Sequence, residues 1–144
     1  MSGHFRVENL VVYQKLCDLH LEISVLVRIW PPEERFELSS QIRRSSNSAP
    51  ANLAEKHADR HVKNRIEGVN RARGEALESI HHFYMAFRKG HVSQQVFEGI
   101  RDRYEECIRM LNGLERTYEK QLPESARDWP ARETTSRVPD DMSD

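Results

Sequence analysis

From Leu10 onward, apolar residues return every three or four positions. Leu10, Tyr13, Leu16, His20, Ile23, Val27 and Trp30 would share one face of a helix running from about Leu10 to Trp30. Asn9 is suited to cap its start, because its side chain can accept from an unpaired first-turn N–H. Pro31-Pro32 would end it, since neither ring can donate the next helical hydrogen bond. A second helix is predicted from Glu34 to about Asp59, with Leu38, Ile42, Ser45, Ala49 and Leu53 facing inward. Pro50 lies inside it and predicts a kink. The weak helix formers Ser45-Ser46-Asn47-Ser48 leave two shorter helices as an alternative, and a single kinked helix is the preferred reading. The third helix, about Val62 to Lys89, carries Val62, Ile66, Val69, Ala76, Ile80, Phe83 and Phe87, and Gly90 is placed to terminate it. Ser93 is a natural cap for the fourth, whose seam of Phe97, Ile100, Tyr104, Cys107, Leu111, Leu114 and Tyr118 alternates steps of three and four. Pro123 closes it.

Four amphipathic helices, joined by short turns and with no strand pattern between them, predict an all-α, antiparallel up-down-up-down four-helix bundle over residues 1–121. Residues 122–144 are rich in Pro, Ser, Thr, Arg and Asp and read as a disordered acidic tail. The chain has 144 residues, one domain's worth. No apolar run reaches the length of a membrane span, and the start, MSGHFRVENL, lacks the apolar stretch of a secretory leader. Cys17 and Cys107 form no CxxC and fit free thiols in a reducing cytoplasm, the expected location.

Candidate chemistry is sparse. His57 and His61 stand four apart, so on one helix they would share a face, but Ala58 follows the first His where a zinc protease needs Glu, and no third ligand has an obvious spacing. Glu78-Ser79-Ile80-His81 is one Glu-x-x-His motif; a di-metal bundle needs a second, which is missing. His20 reads as a hydrogen-bonded histidine at the core. No phosphate loop occurs, and the serines of Arg43–Ser48 have no recognisable base. The expectation is a non-catalytic protein without metal or cofactor.

Charge is the strongest feature. Between Arg43 and Arg73, eight Lys/Arg face three acids, whereas the last stretch from Leu122 is acidic. Arg43, Arg44, Lys56, Arg60, Lys63 and Arg65 are the candidate nucleic-acid contacts, because such cations attract phosphate without reading sequence. The competing reading is a solvated helix face neutralised by acids on neighbouring helices or another subunit. Aromatics that could stack on bases are absent from this segment, which argues against a single-strand platform.

Several blocks resemble a known family: Phe5, Leu10-Val11-Val12-Tyr13-Gln14-Lys15, Glu34-Arg35-Phe36-Glu37-Leu38, Gln41-Ile42-Arg43-Arg44 and Ser48-Ala49-Pro50-Ala51-Asn52-Leu53-Ala54-Glu55. Ala72-Arg73-Gly74, Glu78 and Arg109-Met110-Leu111-Asn112-Gly113-Leu114 fit as well. Over about residues 5–120 the chain resembles the four-helix bundle proteins first noted in intervening sequences of bacterial 23S rRNA genes. Their superfamily includes the accessory variability determinant of diversity-generating retroelements. The resemblance implies a ring-shaped homopentamer without catalytic activity. From the retroelement members it implies a basic surface that binds RNA or DNA, with a reverse transcriptase as partner. It carries a nucleic-acid contact onto Arg43 and Arg44, and a structural role onto Asn52 and Glu55. The chain departs from the family pattern at Lys56, Arg71 and Glu75, which makes helix three more charged. The alternative function is a protein–protein interaction scaffold with no nucleic-acid partner.

Overall fold

All four helices form in the computed structural model, which describes residues 6–123: α1 (Val11–Leu26), α2 (Leu38–His57), α3 (Val62–Arg88) and α4 (Gln94–Glu119). Of the predicted tail, residues 122–144, the part from 124 onward lies outside the described residues, while Leu122 at its start is buried against the bundle. Among those residues there is no strand.

The ends differ from expectation for local reasons. Val7–Asn9 close a 3-10 turn, with the Leu10 N–H donating to the Val7 carbonyl at 2.9 Å, so extended Leu10, not Asn9, sits at the cap of α1. The helix tightens to 3-10 over Val27–Ile29, and Trp30 is extended, as the residue before a proline prefers. The second helix begins four residues later than predicted. Pro32–Glu34 make a separate 3-10 turn, and Glu37 (φ −115°, ψ −108°) breaks the helical path before Leu38. Past that point α2 runs through Pro50 as a single helix, which removes the two-helix alternative. At the end of α3, Gly90 takes φ +84°; the His91 N–H reaches the Ala86 carbonyl (2.8 Å) and the Gly90 N–H that of Phe87 (2.9 Å). That pair of bonds is a Schellman close, and Gly supplies the left-handed residue without a Cβ penalty. Ser93 caps α4 as predicted, its Oγ accepting from the Val96 N–H at 3.1 Å.

Neighbouring helices run antiparallel. Ascending α2, Arg44 meets Glu78, Ser45 meets Ser79, and Asn52 and Lys56 lie against Gly68 lower on α3. Arg73 of α3 meets Asn112 and Glu115 of α4, while Phe87 stacks on Phe97. Lys15 and Glu22 of α1 face Glu106 and Arg103 of α4. The last helix thus packs beside the first and closes the bundle. Leu16, Ile23, Ile42, Ala49, Val69, Ala76, Phe83, Tyr104, Cys107 and Leu111 are fully enclosed. The α1 stripe is rotated from the expected one: Val12 and Leu19 are buried, whereas Tyr13 and His20 lie at its edge. His20 spans the α1–α2 seam, with Nδ1 2.8 Å from Ser46 Oγ.

Two polar clusters fix the packing. Inside, Arg73 donates to Glu115 and Asn112, both at 2.9 Å, and to Asn70; its side chain and that of Glu115 are almost fully enclosed. At one end, the carboxylate of Glu34 accepts from Lys89 Nζ (2.9 Å) and lies 2.8 Å from His91 Nε2. Trp30 packs beside that His91 ring (centroids 5.6 Å apart) and edge-on to Phe83. The α1–α2 connection is therefore tied to the α3–α4 turn.

The α2–α3 seam yields the first prediction. A Cβ on Gly68 would sit 2.7 Å from Lys56 Cβ and 3.1 Å from the Asn52 carbonyl oxygen, whereas one on Gly74 meets nothing within 4 Å. Gly68→Ala is expected to destabilise by about 1–3 kcal/mol through overpacking, and Gly74→Ala to stabilise by about 0.5–1 kcal/mol through reduced unfolded-state entropy. Thermal denaturation of the two variants checks this, and equal shifts would refute it. The second prediction concerns acid. Hydrogen bonds from His91, then Lys89, hold the Glu34 carboxyl at about 2 against an ordinary 4.5, despite its burial. Its contribution is present above about pH 4.5 and is lost as pH falls toward 2. Glu34→Gln should cost about 1–3 kcal/mol at neutral pH and flatten that acid loss, as read from urea midpoints across the range.

Candidate nucleic-acid interface

The six predicted cations do not meet on one surface. Arg43 is near the start of α2 and Lys56 near its end, about 20 Å apart along the axis at 1.5 Å per residue. Arg44 turns to α3, pairing with Glu78 and, at 3.5 Å, with Glu75. Burial opposes ionisation of Glu78, but hydrogen bonds from His82 and Arg44 outweigh it and hold its carboxyl below the usual range. The bond to Glu78, in turn, raises the Arg44 guanidinium. Arg65 donates to the Asp59 carbonyl (2.6 Å) and to Gln121 (2.8 Å), and stacks over the Tyr118 ring at 5.1 Å. Lys56 lays its stem over Gly68. Lys63 is exposed on the first turn of α3. Arg60 is exposed in the α2–α3 turn. It borders an end cleft of about 900 Å³ with Arg6, His57, Asp59, Arg65 and Tyr118.

Arg43 behaves differently. Its guanidinium donates to the Arg35 carbonyl at 3.4 Å, a contact that positions it without neutralising its charge. Together with Arg28 and Arg35 it lines a groove of about 440 Å³, walled by Val27, Trp30, Pro31, Pro32 and Ser39. No carboxylate lines this groove, and among the described residues Arg28, Arg35 and Arg43 form no ion pair. The nearby acids Glu33 and Glu37 are exposed on the same connection, and Glu34 is held by Lys89 and His91. Beside the groove, Phe36 is 84% exposed, with the Arg35 guanidinium 5.4 Å over one face of its ring.

Arg28, Arg35 and Phe36 were invisible as a cluster in the sequence. They flank a proline pair, and only the folded connection brings Arg43 back to them. A second feature was legible but overlooked: Leu21, Val25 and Ile29 repeat every four residues off the core stripe of α1, and all three are exposed.

The catalytic and metal candidates are dispersed. His57 ends α2 and His61 caps α3, so the turn between them removes the shared helical face; Asp59 instead accepts from the His61 N–H (2.8 Å) and from Asn64 (3.1 Å). Glu78 reaches His82, not His81. No group of three metal-ligating side chains converges among the described residues. Burial pushes the Cys107 thiol up to about 12 and lowers His20. No described helix is long and apolar enough to cross a membrane.

The comparisons place this geometry. A crystal structure of a protein of unknown function from the S23 ribosomal protein family, from Bacteroides thetaiotaomicron, superposes with a TM-score of 0.67 at 23% identity. The match covers 74% of this chain and 96% of that one, and it shows a shared fold. The comparison with curated proteins finds no match. The family model described as 23S rRNA-intervening sequence protein matches residues 8–113, from the turn before α1 into the last turns of α4, and the chain therefore belongs to the 23S rRNA-intervening sequence protein family.

Proposed function

We propose that this protein is a non-catalytic, cytoplasmic accessory factor that binds RNA or DNA and assembles as a homo-oligomer, a pentamer by its resemblance to the retroelement accessory proteins, with a reverse transcriptase as partner. The observation that carries the nucleic-acid reading is a groove whose three guanidinium groups, Arg28, Arg35 and Arg43, form no ion pair among the described residues, with Arg60 likewise unpaired in the α2–α3 turn. Such charges bind phosphate with an affinity that falls steeply with salt. Inside the bundle Arg73 engages Glu115 and Ser45 engages Ser79, contacts that favour a structural interior over a reaction centre. Assembly would repeat each weak phosphate contact around the ring and raise its effective concentration.

Leu21, Val25 and Ile29 favour a second reading, an interaction scaffold with no nucleic-acid partner. They are 63%, 57% and 84% exposed on one side of α1, more apolar surface than isolated exposed residues account for. In that reading the free cations would meet acids of a partner protein.

RNA binding separates these readings, and a second measurement tests the apolar row. Labelled RNA should bind the purified protein at low salt. Arg43→Glu should weaken binding severalfold and reduce the salt slope by about 0.7 per lost phosphate contact. Arg44→Gln should leave affinity nearly unchanged and cost about 0.2–1 kcal/mol of stability, because its charge is already spent on α3. If RNA mobility at low salt is unaffected by the wild-type protein, the nucleic-acid reading fails. Separately, Val25→Asp with Ile29→Asp should reduce the mass in sedimentation to that of one chain while leaving the helical spectrum intact; an unchanged mass would clear α1 of a role in assembly.

A further inference from the structure

We infer that the groove between α1 and α2 is a single-strand nucleic-acid site, in which Arg28, Arg35 and Arg43 hold the phosphodiester backbone and the open face of Phe36 stacks on a base. This rests on the nucleic-acid reading above and deepens it, since it names both the strand state and the residues.

Two observations converge. First, the groove walls carry three guanidinium groups and no carboxylate. Arginine presents a planar fork of donors that matches phosphate oxygens, so a lining of this kind selects an anion with several acceptors. Arg43 is held in place by a backbone carbonyl, so its orientation is set before a ligand arrives. Second, Phe36 stands almost wholly in solvent at the groove's edge. A phenylalanine there gains nothing from packing on the bundle. Arg35 covers one face of the ring, which leaves the other for a base, and every base has a π-face. A duplex keeps its bases stacked inside and offers no such partner, so the pairing of phosphate donors with a bare aromatic favours an unpaired strand.

An acidic protein segment would satisfy the arginines but would not need Phe36. The two ligands are therefore distinguished by which side chain matters.

The test measures fluorescence anisotropy of the full chain with labelled short oligouridylate, with a duplex RNA of matched length and with oligoglutamate, at low and moderate salt. Phe36→Ala, Arg28→Ala with Arg35→Ala, and the control Arg71→Ala, at a cation paired with Glu67 on its own helix, are compared with wild type, and thermal denaturation confirms that each variant folds. Phe36→Ala is expected to weaken oligouridylate about tenfold and leave duplex unchanged. The double arginine variant should weaken oligouridylate at least as much and lower the salt slope, and Arg71→Ala should do neither. If wild type binds oligouridylate and the groove variants bind it equally well, this site is wrong while the general nucleic-acid reading stands. If oligoglutamate binds more tightly than oligouridylate and Phe36→Ala has no effect, the groove belongs to an acidic protein partner. If wild type binds neither RNA at low salt, both readings fall.

Discussion

The close approach of α2 and α3 is the constraint on which the rest depends. Small residues line that seam: Ser45 and Ala49 on α2, with Ala72, Ala76 and Ser79 buried on α3, and Gly68, which leaves no room for a Cβ beside Lys56. Helices brought this near bring their flanking charges within reach of one another. Arg44 then finds Glu75 and Glu78 across the seam, and the Ser45 and Ser79 hydroxyls hydrogen-bond at 2.7 Å inside it. The departure at Glu75 takes on a purpose in this light, since a second acid on α3 adds to the neutralisation of Arg44. The same geometry decides which cations remain available. Arg43, one residue earlier and about 100° round the helix, points away from α3 and keeps its charge.

The far side of the seam is organised by Glu34. Tying its carboxylate to Lys89 and His91 pins the α1–α2 connection to the α3–α4 turn, and the Trp30 ring fills the space between them. A connection fixed at Trp30 and Glu34 has little freedom at Arg35 and Phe36. An exposed aromatic on such an anchored turn loses less conformational entropy on binding than one on a loose loop, and pre-organisation of that kind is what lets a few contacts yield a specific site. A buried carboxylate inside the bundle thus bears on a surface several residues away through the backbone between them.

The architecture was legible in the sequence and the interface was not. Apolar spacing identified four helices, and the caps at Ser93 and Gly90 formed as their chemistry dictates, because helix periodicity and capping are local properties. The boundary at Glu34 was misplaced because its helical spacing is genuine, but its side chain is claimed by Lys89 and His91, more than fifty residues downstream. The α1 stripe was drawn through His20 and not Leu19, since a histidine at three-four spacing reads as inward-facing until the seam with Ser46 is known. Charge counting along Arg43–Arg73 overestimated the basic surface for the same reason. Arg44, Arg71 and Arg73 each have a carboxylate partner, and only Arg71 finds it within its own helical turn, at Glu67. Helical spacing reveals that local pair, whereas the other two partners lie across helix seams.

In the proposed function, assembly and binding would be coupled by their placement. Ile29, the most exposed residue of the apolar row on α1, follows directly after Arg28 of the groove, and Phe36 extends from the same connection. A copy docked along Leu21, Val25 and Ile29 would bring its own charges toward the groove of its neighbour. Three arginines per chain neutralise few phosphates, and the affinity of so small a site is modest at physiological salt. Repeated around the proposed ring at fixed spacing, the same site would engage successive segments of one strand, each at the effective concentration set by the first. On that reading the oligomer would serve binding as much as cover the apolar row, because each added copy would bring three more groove arginines to the same strand.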